Sequence, residues 1–192
     1  MSELAASRMS LDEFLCWDDG TDTRYELIDG FPLAMAPPAR AHGILCARLA
    51  GIVDAALRAR RPCMAQTEAG IARPGRDDSF YVADIAVSCP LYERGEQLVK
   101  MPVLIVEIMS LGTERHDRRM KVPAYRGIDS VQEILLIDPE SLYAEVLRRD
   151  GEQWTTNLLR GRKAVLQLTS VGLSVPLAEL YDGIDVEPDP EP

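Results

Sequence analysis

Three carboxylates and one lysine in this chain stand where their chemistry needs an explanation. Glu107 lies inside PVLIVEIMS, a nearly continuous apolar run rich in β-branched residues, the pattern of a buried central strand. An ionised carboxylate there is costly unless it is paired or bound to a metal ion. Asp84 in FYVADIAVS repeats the pattern, a lone acid among Tyr81, Val82, Ile85, Ala86 and Val87. Glu26 stands in YELIDG, a strand that breaks at a tight turn. Two acids on adjacent strands make a pocket of hard oxygens, the ligand set that Mg²⁺ or Mn²⁺ prefers. Lys121 follows in DRRMK, four residues after Asp117 and on the same helix face. Carboxylates around a divalent ion, with a lysine beside them, are the parts that phosphodiester hydrolysis needs: the ion acidifies a water and offsets charge building on the phosphorus. Each residue also has a bland role open to it. Glu107 can pair with an arginine of the helix that follows, Asp84 can face solvent at a sheet edge, and Asp117 with Lys121 can be an exposed pair worth roughly a few tenths of a kcal/mol.

The elements that must position these groups are legible in outline. Ser10 and Glu13 form a capping box ahead of a short helix carrying Leu11, Phe14, Leu15 and Trp17. RYELIDG and FPLAMA read as a hairpin turning at Asp29–Gly30. From Arg40 to about Arg60, Ile44, Leu45, Leu49, Ile52, Val53, Ala56 and Leu57 recur at helical spacing. MAQTEAGIA and SFYVADIAVS are extended pieces divided by the turn RPGRDD, and PVLIVEIMS and VQEILLIDP are buried strands. A polar helix from about Thr113 to Tyr125 lies between these last two, and Pro123 should kink or tighten it. YAEVLRRD, EQWTTNLL and AVLQLT predict a meander of half-buried strands, and PLAELYDG one helical turn. The expected fold is therefore α/β (α+β): a central mixed sheet flanked by helices, with an added antiparallel meander. It divides into a polar leader at 1–9, a single domain at 10–184 and a disordered acidic, proline-rich tail at 185–192.

Composition narrows the function classes. The 192 residues are 46% apolar and 27% charged, an ordinary globular balance. Basic residues number 21 against 31 acidic, a net charge of −10, which argues against a non-specific nucleic-acid coat. It leaves open a nuclease with a local basic strip, whose metal site contributes carboxylates of its own. The four cysteines (Cys16, Cys46, Cys63, Cys89) show no CxxC, and with two histidines in the chain a structural zinc site or an HExxH hydrolase is not indicated. Widely spaced cysteines predict reduced, packed thiols, and the lack of a signal peptide or an apolar run near 18 residues predicts a cytoplasmic protein with no membrane contact.

The order of the pieces YELIDG, His42 opening the next helix, ADIAV, PVLIVEIMS, then Asp117, Lys121 and Tyr125 resembles the Uma-two family of restriction-endonuclease-like proteins, within the PD-(D/E)XK nuclease superfamily. YRGIDSVQEILLID and LTSVGLSVPLAELYDGI are similar to one subgroup of it, so the likeness spans about residues 10 to 184. The resemblance implies a restriction-endonuclease-like fold, with Asp84 and Glu107 as metal ligands, Glu26 as the upstream acid completing the site and Lys121 as the catalytic lysine. The superfamily's usual lysine position, two residues after the second acid, holds Met109 here. His42 would sit near the site, and a core or cap histidine is an equally good reading. Two departures stand out: Ala83 precedes the first aspartate where the family has proline, and Ser110–Leu111–Gly112 replaces its Ser-Pro.

The leading expectation is an endonuclease that hydrolyses DNA with Mg²⁺ (or Mn²⁺), using Glu26, Asp84, Glu107 and Lys121. Arg115, Arg118 and Arg119, with His42 and Arg40, are candidate substrate contacts, although three arginines on a polar helix can also be a solvated face. DNA binding should be weak and salt-sensitive, and a homodimer would place two sites on two strands. The main alternative is a non-catalytic DNA- or protein-binding module on the same fold. A third is a structural protein with buried ion pairs. It predicts that Glu107→Gln destabilises the protein, whereas the metal reading predicts that it raises the melting temperature.

Overall fold

The computed structural model describes residues 8–109 and 117–186. Ser10 caps helix α1 (Leu11–Leu15) through the expected capping box with Glu13. Strands β1 (Tyr25–Ile28) and β2 (Phe31–Ala34) then form the expected hairpin. Its turn places Asp29 at φ 50° and Gly30 at φ 86°, the paired left-handed conformations a two-residue connection demands. The end of the leader is tied to this hairpin: the Met9 amide donates to the Gly30 carbonyl, and Arg8 reaches Asp78 at 2.5 Å.

Helix α2 (Arg40–Ala56) continues into a 3₁₀ turn at Leu57–Arg60, close to the predicted span. Its stripe of Leu45, Leu49, Val53 and Leu57 is fully buried, one residue per helical turn. Strands β3 (Met64–Ala72), β4 (Phe80–Ser88) and β5 (Pro102–Ile108) follow. A π-helical turn at Asp117–Lys121 leads into α3 (Val122–Arg126), with Pro123 in the first turn of the α-helix, where its missing N–H costs nothing. Thr113 to His116 of the predicted helix, together with Arg115 and Ser110–Leu111–Gly112, lie outside the described residues, as do residues 187–192 of the predicted tail.

Strands β6 (Glu133–Ile137), β7 (Tyr143–Asp150) and β8 (Gln153–Arg160) complete an eight-stranded sheet in the order β2-β1-β4-β5-β6-β7-β8, with β3 also paired to β4. β5 and β6 are parallel and every other pair is antiparallel, so the crossover between them carries α3. This is the mixed, helix-flanked sheet the sequence predicts. The meander differs: β7 and β8 extend the main sheet, whereas β9 (Val165–Leu168) pairs with β10 (Leu173–Pro176), a strand not anticipated, in a separate two-stranded sheet ahead of α4 (Leu177–Leu180).

The sheet has two apolar faces. On one, Leu45, Leu49, Val53 and Leu57 of α2 and Leu177 and Leu180 of α4 cover Ile85, Val87, Leu104, Val106, Ile108, Leu135 and Ile137. On the other, Val122, Ala124 and Tyr125 of α3 cover Ala83, Ala86, Ile105, Ile134 and Leu136. Burying a leucine such as Leu49 contributes about 1.5–3 kcal/mol. Val186, within the predicted tail, packs against the first face. Among the described residues, no helix is long and apolar enough to cross a membrane.

The expectation of four reduced thiols is corrected, because Cys63 and Cys89 form a disulfide. Met64 on β3 opposes Ser88 on β4, so the next residue outward on each strand is a cysteine facing a cysteine. The 26-residue separation hides this cross-strand pair in the sequence. Cys16 and Cys46 are free.

Candidate active site

The site is built where β4 and β5 lose their regular pairing. Ile85 opposes Val106, which brings Asp84 level with Glu107. Instead of continuing the ladder, the Asp84 carboxylate takes the next backbone donor: its Oδ2 accepts from the Ile108 amide at 2.6 Å. β3 is irregular at the same level. Thr67 opposes Ile85 and Ala69 opposes Ala83, and between them Glu68 sits at φ 51°, a conformation costly for a residue with a side chain. Tyr81 and Ala83 lie in the α3-side layer whereas Ile85 and Val87 lie in the α2-side layer, so β4 changes face at Asp84. An acid that a regular strand would hold on one side is thereby turned to the sheet's rim. There its Oδ1 meets the Nε2 of His42, in the first turn of α2, at 3.1 Å.

Glu107 points the opposite way from Val106 and Ile108, which are both in the α2-side layer, as the alternation of a strand requires. It is 2% exposed, and its partners come from the helical segment on the α3 side. The Tyr125 hydroxyl donates to Oε1 at 2.6 Å, and Lys121 Nζ lies 3.4 Å from Oε2. Lys121 also reaches Glu26 Oε1 at 2.9 Å and donates to the Val82 carbonyl at 3.1 Å. Val82 closes the circuit, its amide donating to Glu26 Oε1 at 2.9 Å. The structure thus brings together all four residues singled out as catalytic. Lys121 bridges Glu26 and Glu107, and Asp84 is fastened to the residue next to Glu107. The arginine partner considered for Glu107 is replaced in these contacts by a lysine and a tyrosine.

Exposure falls along the cluster from 21% and 16% for the side chains of Asp84 and His42, through 7% and 6% for Lys121 and Glu26, to 3% for Glu107. The cluster is therefore open to solvent on the Asp84–His42 side. Cys46, one helical turn beyond His42, donates its thiol to the Asp84 carbonyl at 3.7 Å. Burial pushes that thiol up to about 11, helped by the negative charges of Asp84 and Glu68. Glu68 itself is ion-paired with Arg24.

The expected three-carboxylate ligand set is not gathered on one point. Among the described residues, no three His, Cys, Asp or Glu side chains converge closely enough to hold an ion as they stand. The physical reason lies between Glu26 and Glu107, where Lys121 stands. The donor set nonetheless suits a divalent cation, with three carboxylates against one ammonium and Asp84 at the open side.

The candidate substrate contacts divide. Arg118 is committed to the sheet, donating to both oxygens of Glu145 at 2.8 and 2.7 Å. That guanidinium, helped by the Tyr143 hydroxyl and against the opposing effect of burial, holds the Glu145 carboxyl below its ordinary range. Arg119 and Arg40 are exposed, and Arg115 lies outside the described residues. Sequence reasoning assigned no role to Tyr125, Val82 or Glu68. Tyr125 had a signal, since it lies four residues after Lys121 on the same helical segment; the other two depend on backbone geometry.

Comparison with known proteins agrees with the fold. A family model, Uma2, described as "Putative restriction endonuclease", matches residues 11–178. Uncharacterized protein slr1290 of Synechocystis sp. (strain ATCC 27184 / PCC 6803 / Kazusa) is 25% identical over 189 residues, covering 92% of this chain and 93% of its own. Uncharacterized protein sll1609 of the same organism is 30% identical over 96 residues, covering 48% and 54%. A crystal structure described as "a putative nuclease belonging to DUF820", from Anabaena variabilis ATCC 29413, superimposes with a TM-score of 0.74 at 22% identity, over 91% of this chain and 98% of that one.

Proposed function

This chain belongs to the Uma2 family, and we propose on that premise that it is a divalent-metal-dependent endonuclease hydrolysing DNA phosphodiester bonds. The observation that carries the reading is Lys121, one buried ammonium shared between carboxylates of two strands, 2.9 Å from Glu26 and 3.4 Å from Glu107, beside a third carboxylate at the rim. Asp84 and Glu107 would hold Mg²⁺ or Mn²⁺, with Glu26 the nearest further acid. When bound, the ion supplies a water of lowered pKa and positive charge beside the scissile phosphate.

The chain's own groups supply the rest. Glu26 and the Val82 carbonyl hold Lys121 so that its ammonium faces Glu107, where it steadies the attacking oxygen and offsets charge on the phosphoryl group. His42 and the Ile108 amide each take one oxygen of Asp84, which fixes the carboxylate's orientation at the opening. The exposed Arg119 and Arg40 are left to contact phosphates, whereas Arg118 is used by Glu145. With a net charge of −10, binding to DNA should be weak and steeply salt-dependent, and a homodimer would let two such sites act on two strands.

The test is nicking and linearisation of supercoiled plasmid with Mn²⁺ or Mg²⁺, with the Asp84→Ala/Glu107→Ala double variant purified in parallel, and titration calorimetry with Mn²⁺. The reading expects cleavage and Mn²⁺ binding by the wild type and neither by the variant. Equal cleavage by both preparations, or no Mn²⁺ binding by the wild type, would leave a non-catalytic module on a nuclease-like fold.

A further inference from the structure

We infer that Tyr125 is a positioning residue of this site, choosing which oxygen of Glu107 is presented to the reaction. The inference rests on the nuclease reading and deepens it. Three observations converge on it. The Tyr125 hydroxyl donates to Glu107 Oε1 at 2.6 Å, shorter than the 3.4 Å contact that Lys121 makes to Oε2. The tyrosine is 0% exposed, with its ring edge-on to Tyr81 at 6.1 Å between centroids, so the hydroxyl has a fixed address. Its sequence position, four after Lys121, sets amine and phenol on one face of one helical segment, above the same carboxylate.

The division of labour follows from the two distances. Oε1 is tied by a short hydrogen bond from a rigid ring. Oε2 meets Lys121 at 3.4 Å, a looser contact. Clamping one oxygen restricts rotation of the carboxylate and holds Oε2 toward Lys121. Without the phenol the group can swing about its last side-chain bond, and the oxygen offered to an ion or to Lys121 is no longer selected. Partners of ligating carboxylates act in this way, and their loss costs on the order of 10–100-fold in metal affinity or activity.

Tyr125→Phe removes one oxygen and keeps the ring and its contact with Tyr81. Full-length wild type and variant are compared well below the lower of their two melting midpoints, after circular dichroism shows both folded. Mn²⁺ affinity is measured by calorimetry, and kcat and KM on a duplex oligonucleotide. The expected result is a fall of about 10–100-fold in kcat and a parallel weakening of Mn²⁺ binding, with KM for DNA within about twofold of wild type. A tyrosine that serves only stability would lower the melting midpoint and leave kcat and Mn²⁺ affinity unchanged. That outcome, in a wild type that binds Mn²⁺ and cleaves, overturns the inference while the nuclease reading stands. A wild type that neither binds Mn²⁺ nor cleaves overturns both.

Discussion

Replacing Lys121 by methionine separates the roles of the buried charges more sharply than removing any carboxylate. The ammonium is 7% exposed and lies 2.9 Å from Glu26 and 3.4 Å from Glu107, whose side chains are 6% and 3% exposed. At an effective dielectric of about 20, those separations correspond to gross attractions of about 6 and about 5 kcal/mol. Most of that offsets the cost of taking three charges out of water, so the sum is no measure of net stability. Removing the shared cation is different, since it strands two buried carboxylates with no ammonium between them. The expected cost is about 3–5 kcal/mol. For a domain of this size it corresponds to a fall of roughly 6–20 °C in melting temperature. Glu107→Gln should cost less, because Lys121 keeps Glu26 and the amide oxygen of glutamine can still accept from Tyr125. The rise in melting temperature that the metal reading predicted for Glu107→Gln supposed acids facing one another without a cation, and Lys121 supplies one. Differential scanning calorimetry in EDTA and in millimolar Mn²⁺ makes the comparison. In EDTA, Lys121→Met should melt well below Glu107→Gln, and Mn²⁺ should recover more of the loss in Lys121→Met than it adds to the wild type. If Lys121→Met melts with the wild type in EDTA, the carboxylates do not depend on the ammonium and the reasoning fails.

Other measurements probe the surrounding structure. Thiol titration in denaturant should count two thiols before reduction and four after, given the Cys63–Cys89 bond. In native protein at pH 8 the half-buried Cys46, pushed up to about 11, should alkylate far more slowly than exposed Cys16; comparable rates would contradict its partial burial against Asp84. Burial works to raise Glu133, but hydrogen bonds from Ser170, Arg148 and Thr169 together outweigh it and leave the carboxyl below its ordinary range, as Arg118 does for Glu145. Depressed folded-state values mean stability that is present above the ordinary carboxylate range and lost as pH falls through and below it, so Glu133→Gln should flatten the acid side of a melting-temperature profile. Arg118→Ala should lower the melting temperature with little effect on DNA affinity. Arg119→Ala should do the reverse and reduce the salt slope of binding by about one; a stability loss confined to Arg119→Ala would invert the assignment.

Glu107 and Glu133 show how far a sequence can be read. Both are acids in β-branched apolar runs, and both are buried, at 2% and 1% exposure. Glu107 reads as a candidate site residue, and the structure sets it against Lys121 and Tyr125. Glu133 carries the same local signal, yet it is a structural carboxylate satisfied by Arg148, Thr169 and Ser170. What separates them is the partner across space, which periodicity does not encode. Helix α2, the β1–β2 hairpin and strands β3 to β8 were legible because their apolar spacing and turn residues act locally. The face change at Glu68 and Asp84, the Cys63–Cys89 pair and the separate β9–β10 hairpin were hidden because each depends on which strands become neighbours. The same limit explains Arg118, whose type and position suit a phosphate but whose fold neighbour is Glu145.

The position of the lysine can also be argued from its surroundings. Met109, two residues after Glu107 and on the same face of the strand, is 5% exposed within the α3-side layer, and its Sδ lies 3.5 Å from Arg118 Nη2. An ammonium at that position would face a guanidinium already bound to Glu145. A cation arriving from the helical segment meets no such conflict, because it enters between Glu26 and Glu107 and finds the Val82 carbonyl as a third partner. The arrangement has a mechanical consequence. Lys121 fastens β1, β4 and β5 to the segment that carries α3, so the group proposed for chemistry is also a tie between the helix and three strands. Substitutions at Lys121 should therefore disturb stability and activity together, whereas Asp84, at the open end and held only by His42 and the Ile108 amide among the contacts described, is the position where activity can be lost at least cost to the fold.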